Sequence, residues 1–238
     1  CDDREASTYP GATEITGDEV DSDCDGGEIC YQDKDDDGYR TDTPVTSSDA
    51  DCDDTGEAAA SLPSKDCDDD DKSINPGARE VVADGIDQDC DGSEVCYADG
   101  DGDGYRTDTT LTSADADCSD SGEALATVPS GDCDDRSASV NPGAREIVAD
   151  NIDQDCDGSE ICYTDTDNDG YRTTTTITSA DSDCRDTGEA AASIPSGDCN
   201  DGNADINPGE REICDGIDND CDSTTSEDGT AVYVSSTG

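Results

Sequence analysis

Three acidic stretches in this 238-residue chain set carboxylates at alternate positions and then turn on a glycine. Asp33, Asp35 and Asp37 precede Gly38, Asp99, Asp101 and Asp103 precede Gly104, and Asp165, Asp167 and Asp169 precede Gly170. In a D-x-D-x-D-G loop the first, third and fifth side chains converge on one hard cation, and the glycine makes the sharp turn. The chemistry to expect is oxygen coordination of calcium, because magnesium prefers fewer protein ligands and more water. The seventh position, which offers a backbone carbonyl, falls on Tyr39, Tyr105 and Tyr171. The twelfth holds Pro44, Thr110 or Thr176 where an EF-hand needs a bidentate acid. A closing carboxylate must come from elsewhere. The expected donors are Asp51, Asp117 and Asp183, with Asp49, Asp115 and Asp181 beside them. If Cys96 pairs with Cys118, the bridge brings Asp117 near a loop that begins at Asp99.

A second set of acids also recurs. It comprises Asp66, Asp132 and Asp198; Asp69, Asp135 and Asp201; Glu80, Glu146 and Glu212; Asp87, Asp153 and Asp218; and Asp89, Asp155 and Asp220. If Cys67 pairs with Cys90, the two acidic segments of this set are clamped together. Carboxylates so confined repel one another without a cation. One further hard-cation site per repeat is the expectation.

The elements that must position these acids repeat with them. Cys1, Cys67, Cys133 and Cys199 are spaced 66 residues apart, and the other cysteine series keep that period. The chain divides into repeats at 1–66, 67–132 and 133–198, with a partial repeat and C-terminal strand at 199–238. Asn75-Pro76-Gly77 is turn chemistry, so the first half of a repeat reads as loop, with at most one helical turn over Ala78–Ala83. The threonine-rich run Thr107–Ser113 reads as a strand opposite Cys96 and Tyr97, placing the acidic loop at a hairpin tip. The alanine-rich Gly122–Val128 reads as a short helix. The expected fold is a set of small, loop-rich, mostly irregular and β tandem repeats, stapled by disulfides and calcium into an elongated linear array.

Composition limits the alternatives. There are 66 acids, 12 bases and no histidine, for a net charge of −54. Only 29% of residues are apolar, which by itself suits disorder. Fifteen cysteines at regular spacing argue instead for a disulfide scaffold in an oxidising, extracellular compartment. Nucleic acid is excluded as a partner, since both would be polyanions. No stretch is apolar enough for a signal peptide or a membrane span. Without histidine there is no Ser/His or Cys/His dyad, and there is no C-x-x-C. Paired carboxylates could serve glycoside hydrolysis, but these recur in every repeat and few aromatics could hold a sugar. The chain therefore reads as a non-enzyme.

Asp66-Cys67-Asp68-Asp69, Asn75-Pro76-Gly77-Ala78-Arg79-Glu80 and Asp87-Gln88-Asp89-Cys90-Asp91-Gly92, followed by the tyrosine-flanked acidic loop, together resemble the MopE-type metal-binding repeat. The resemblance covers nearly the whole chain. The loops are similar, more loosely, to thrombospondin type 3 calcium repeats. The resemblance implies secreted, metal-loaded, disulfide-stapled modules of surface proteins. One family name invokes copper, which is not carried over, because soft and imidazole ligands are missing. The chain departs from the pattern at Val82 and Val148, where many members have a cysteine, and at Cys30, Cys96 and Cys162, where they have none. Cys214 restores the usual form in the last repeat. This exchange supports bridges of the Cys96–Cys118 kind, and the expected pairs are Cys1–Cys24, Cys30–Cys52, Cys67–Cys90, Cys96–Cys118, Cys133–Cys156, Cys162–Cys184 and Cys199–Cys221. It leaves Cys214 for a cysteine beyond Gly238 or on another subunit. Spacing alone does not fix connectivity.

The leading functional expectation is an extracellular, calcium-rigidified repeat array: a fibre, filament, stalk or adhesin spacer that partners itself, as a homopolymer or within a longer chain. The threonine-rich runs offer hydroxyls for O-linked glycans. A calcium reservoir or mineral-surface binder is the alternative.

Overall fold

The computed structural model describes residues 5–224. The chain forms two compact units, 1–129 and 130–238.

Among the described residues nine short strands form three equivalent sheets: β1 (Ile29–Asp33), β2 (Pro44–Thr46) and β3 (Gly56–Ala58), then β4 (Val95–Asp99), β5 (Thr110–Thr112) and β6 (Gly122–Ala124), then β7 (Ile161–Asp165), β8 (Thr176–Thr178) and β9 (Gly188–Ala190). The five-residue strand is central in each, with antiparallel partners on both sides, in the order β2-β1-β3 and its equivalents. In the second sheet Cys96 faces Leu111 and Asp99 faces Gly122. The expected hairpin is therefore present, and its tip carries the acidic loop.

No helix occurs among the described residues. Gly122–Val128, expected to be helical, begins instead as β6, because the free edge of β4 takes it as a third strand. Gly122 enters at φ +93°, a left-handed conformation that glycine adopts without steric cost. Pairing with a neighbouring strand overrides alanine's helical preference. The helical turn allowed over Ala78–Ala83 is also absent. Ala83 sits at φ +60°, donates its amide to the Val95 carbonyl and accepts from the Ala126 amide. It thereby ties the turn-rich half of the repeat to its sheet.

The core is built from cystine and alanine. Cys96, Cys118 and Ala83 are buried together, with Val82, Tyr97, Leu111 and Leu125 packed around them. Cys30–Cys52, Cys96–Cys118 and Cys162–Cys184 are the core bridges. Cys67–Cys90, Cys133–Cys156 and Cys199–Cys221 lie nearer the surface and join the two acidic segments. Six expected pairs are thus present. The seventh, Cys1–Cys24, depends on a residue outside the described ones, as does the C-terminal strand. Cys214 is free and exposed. Each bridge spans 22 or 23 residues. Closing such a loop contributes about 3 kcal/mol by the chain-entropy account.

Three arginines supply the remaining packing. Arg106 stacks 3.7 Å from the Tyr97 ring centroid, and its guanidinium donates to the Val128 and Thr107 carbonyls. Arg40 and Arg172 do the same over Tyr31 and Tyr163. A planar, forked cation can stack and bridge two carbonyls at once, which a lysine ammonium cannot. Arg106→Ala should destabilise the oxidised protein by about 1–3 kcal/mol, with Arg106→Lys restoring only part. Urea denaturation followed by circular dichroism measures this, and equal midpoints for wild type and Arg106→Ala would refute it.

Candidate metal centres

Each acidic loop lies at the end of a central strand. Asp33 closes β1 and is buried, while Asp35 and Asp37 are half-buried. Oxygens from the three carboxylates lie within 4.8 Å of one another, as do those of Asp99, Asp101 and Asp103. Backbone amides hold the loop closed. Asp37 N donates to Asp33 Oδ1 and Asp35 Oδ1, and Gly38 N donates to Asp33 Oδ2. Tyr39 N donates to Asp37 Oδ1 at 2.7 Å, and Tyr105 and Tyr171 repeat this contact. The fourth loop position takes positive φ at Asp36, Gly102 and Asn168, and the sixth does so at Gly38, Gly104 and Gly170.

A second loop with the same backbone signature occurs in the other half of the repeat, and the sequence reading missed it. Asp91 N donates to Asp87 Oδ1 and Asp89 Oδ1, and Gly92 N to Asp87 Oδ2. Ser93 N donates to Asp91 Oδ1. Positive φ recurs at the fourth position, Cys90, and at the sixth, Gly92. Asp153–Gly158 repeats every one of these features. Asp87-Gln88-Asp89-Cys90-Asp91-Gly92 was legible as D-x-D-x-D-G, but its bridging cysteine at position four drew attention to the disulfide instead.

The acids around this loop form the second cluster. Glu80, Asp87 and Asp89 converge within 4.8 Å, as do Glu146, Asp153 and Asp155, and also Glu14, Asp21 and Asp23 of the first repeat. Glu80 Oε1 accepts from the Asp89 amide, leaving Oε2 buried and unpaired. In the last repeat Glu212 accepts from the Asn219 amide, with an unpaired oxygen on both Glu212 and Asp218. Asp220 follows at the third position of that loop.

A glutamate absent from the expected set lies beside each complete cluster. Glu28, Glu94 and Glu160 are 1%, 0% and 0% exposed. One oxygen of each accepts from the amide of the next residue, while Oε2 has no partner. Glu14, Asp23, Asp25 and Glu28 line one cleft. Burial, then the adjacent Glu14 carboxylate, pushes Glu28 up to about 7. Burial and a facing glutamate raise Glu94 and Glu160 in the same way. These residues occupy the eighth position of the second loop, immediately before the central strand, where apolar neighbours concealed them.

The expected second set does not stay together. Asp66 and Asp69 leave Glu80, Asp87 and Asp89 and turn toward the Asp33–Asp37 loop. Burial, then the nearby Asp37 and Asp35 carboxylates, raises Asp66 to about 6. Asp198 is raised by burial and by Asp169 and Asp167, and Asp201 accepts from the Thr166 amide. Asp132 is buried and accepts from the Asp134 amide, and Asp135 is half-buried.

The expected closing acids hydrogen-bond within their own turns. Asp51 accepts from the Asp53 amide, Asp117 from the Ser119 amide, and Asp183 from the Arg185 amide and guanidinium. Asp115 and Asp181 cap the same turns. The reason is local. The Cys96–Cys118 bridge presents the Asp117 carbonyl to Cys96 Sγ at 3.5 Å, while the side chain serves its own turn.

The donor set is oxygen. Unpaired buried carboxylate atoms fit a hard cation. They do not fit copper, since there is no histidine or methionine and Cys214 is the free cysteine among the described residues.

Loop pairs, bridges and small sheets recur together, so the described chain is a disulfide-stapled repeat protein with clustered carboxylates in each repeat. The family model Cu-binding_MopE, a metal-binding motif, matches residues 1–28, 66–94, 132–160 and 198–227. Four segments of the chain are thus similar to this motif. Three of the matched segments end on or beside Glu28, Glu94 and Glu160. No curated protein and no solved structure matches the chain.

The raised Glu28 and Asp66 carboxyls set a pH dependence. A folded-state acid that holds its proton above the ordinary value stabilises the fold as pH falls through that range. In excess chelator, stability should therefore rise as pH drops from about 7 toward 4.5. With saturating divalent cation the trend should reverse, because ligating carboxylates must be ionised. Urea midpoints at the two ends of that range, with chelator and with cation, check both signs; parallel trends would contradict the assignment.

Proposed function

We propose that this chain is a secreted, non-enzymatic structural repeat protein whose acidic loops bind calcium and thereby hold an extracellular array rigid. The observation that carries the reading is the fully buried Glu94, with its unpaired Oε2 beside Glu80, in every complete copy of the second loop. Bound calcium supplies the positive charge that these carboxylates lack.

The chain's residues do the rest. Asp87, Asp89 and Glu80 present oxygens from one side, and Glu94 presents one from the buried side. The Asp33, Asp99 and Asp165 loops offer a second set in each repeat. The surface bridges hold the acidic segments close, and the core bridges fix the strands that carry them. Disulfides at this density suit an oxidising compartment outside the cytoplasm. No helix among the described residues is long and apolar enough to cross a membrane.

A spacer or filament suits near-identical tandem copies better than catalysis does. The same acids recur in each, whereas an active site needs one distinctive constellation. The threonine strands, such as Thr110–Thr112 with both threonines exposed, remain available for O-linked sugar or contacts with another copy.

Adding calcium to oxidised, chelator-treated protein should shrink its hydrodynamic radius and sharpen its unfolding transition. Dynamic light scattering gives the first readout and calorimetry the second. An unchanged radius would overturn the structural role.

A further inference from the structure

We infer that the Asp33–Asp37 and Asp165–Asp169 loops are completed by Asp66 and Asp198, so that one calcium ion joins each of these loops to the acid-cysteine-acid segment of the following repeat. The inference rests on the calcium reading above and adds where the ion acts: at the joint between repeats.

Four observations support it. Asp66 is 8% exposed, and its Oδ2 is buried without a partner. Asp35 Oδ2 and Asp37 Oδ2 are buried and unpaired, and both carboxylates act electrostatically on Asp66. Asp198 Oδ2, Asp167 Oδ2 and Asp169 Oδ2 repeat the arrangement. Three buried acceptors with no donor are costly unless a cation completes them.

The backbone aims Asp66 at this place. Arg40 N donates to the Pro63 carbonyl, and Asp66 N donates to the Arg40 carbonyl. The strand exit of one loop and the entry to the next motif therefore run side by side. One residue later, Cys67 is bridged to Cys90, which anchors Asp66 in the following motif.

A second acid reaches across the same joint. Lys34 N donates to Asp69 Oδ1 at 2.9 Å. Thr166 donates to Asp201 through both its amide and its hydroxyl.

The glycine of Asn-Pro-Gly completes the contact. The Tyr39 hydroxyl and ring occupy the space that a Cβ on Gly77 would need, and Tyr171 does the same at Gly209. The tyrosine after each loop therefore seats directly on the next repeat's turn, and only glycine leaves room for it.

The test uses the full oxidised chain. Calcium titration by calorimetry is combined with hydrogen exchange read by mass spectrometry. Asp66→Asn removes the charge without changing shape, Asp198→Asn repeats the test in the other unit, and Asp51→Asn is the control. Peptide mapping of Cys30–Cys52 and Cys67–Cys90 shows that each variant is folded. Asp66→Asn should weaken one calcium site at least tenfold and speed exchange over both 33–40 and 66–77. Asp198→Asn should do the same over 165–172 and 198–209, while Asp51→Asn should match wild type. Wild-type affinity and exchange in both Asp66→Asn and Asp198→Asn would overturn the joint but leave calcium binding standing. Loss of a site in Asp51→Asn would also overturn it. A wild-type chain that takes up no calcium would overturn the functional reading and the joint together.

Discussion

Repulsion among confined carboxylates governs this structure. Three ionised groups within 4.8 Å repel by about 3–4 kcal/mol per pair at an effective dielectric of ~20. One such cluster approaches the whole stability of an ordinary domain, about 5–15 kcal/mol. The clusters recur, and backbone amides, bridges and strands all hold them together. Protonation or a cation between them would relieve this repulsion. Arg40, Arg106 and Arg172 do not provide such a cation, because they stack on tyrosines and bond carbonyls.

The geometry links the two centres of a repeat. Glu94 stands immediately before β4, and Asp99 is the last residue of that strand. A buried acid of one cluster and the first acid of the other are thus separated by a single strand, on the order of 17 Å long. Cys96 lies between them and is bridged to Cys118. Disulfides and acidic loops are interdependent for this reason: the core bridge fixes the strand, and the strand fixes a carboxylate at each end. With cystine and alanine as the main core residues, hydrophobic burial adds little.

Much of this was legible in the sequence. The 66-residue period, the hairpin and the first acidic loop follow from residue type and spacing, whereas the connectivity of the six cysteine pairs does not follow from spacing alone. The misplacements share a cause. The Cys118 bridge places the Asp117 backbone, while its side chain bonds the Ser119 amide of its own turn. Asp66 was grouped with Glu80 because Cys67 pairs with Cys90, though it faces the other direction. Glu94 was overlooked because a buried, unpaired glutamate makes no sense until the cluster around it is known. Gly122–Ala124 took a strand conformation because of a partner far away in sequence, which local propensity does not encode.

Native mass spectrometry of the oxidised chain, titrated from chelator into calcium, addresses the central claim most directly. The account predicts a discrete series of bound states that levels off at two ions per complete repeat, with the charge-state envelope narrowing as the chain compacts. A smooth, unsaturated spread of adducts with no narrowing would contradict it.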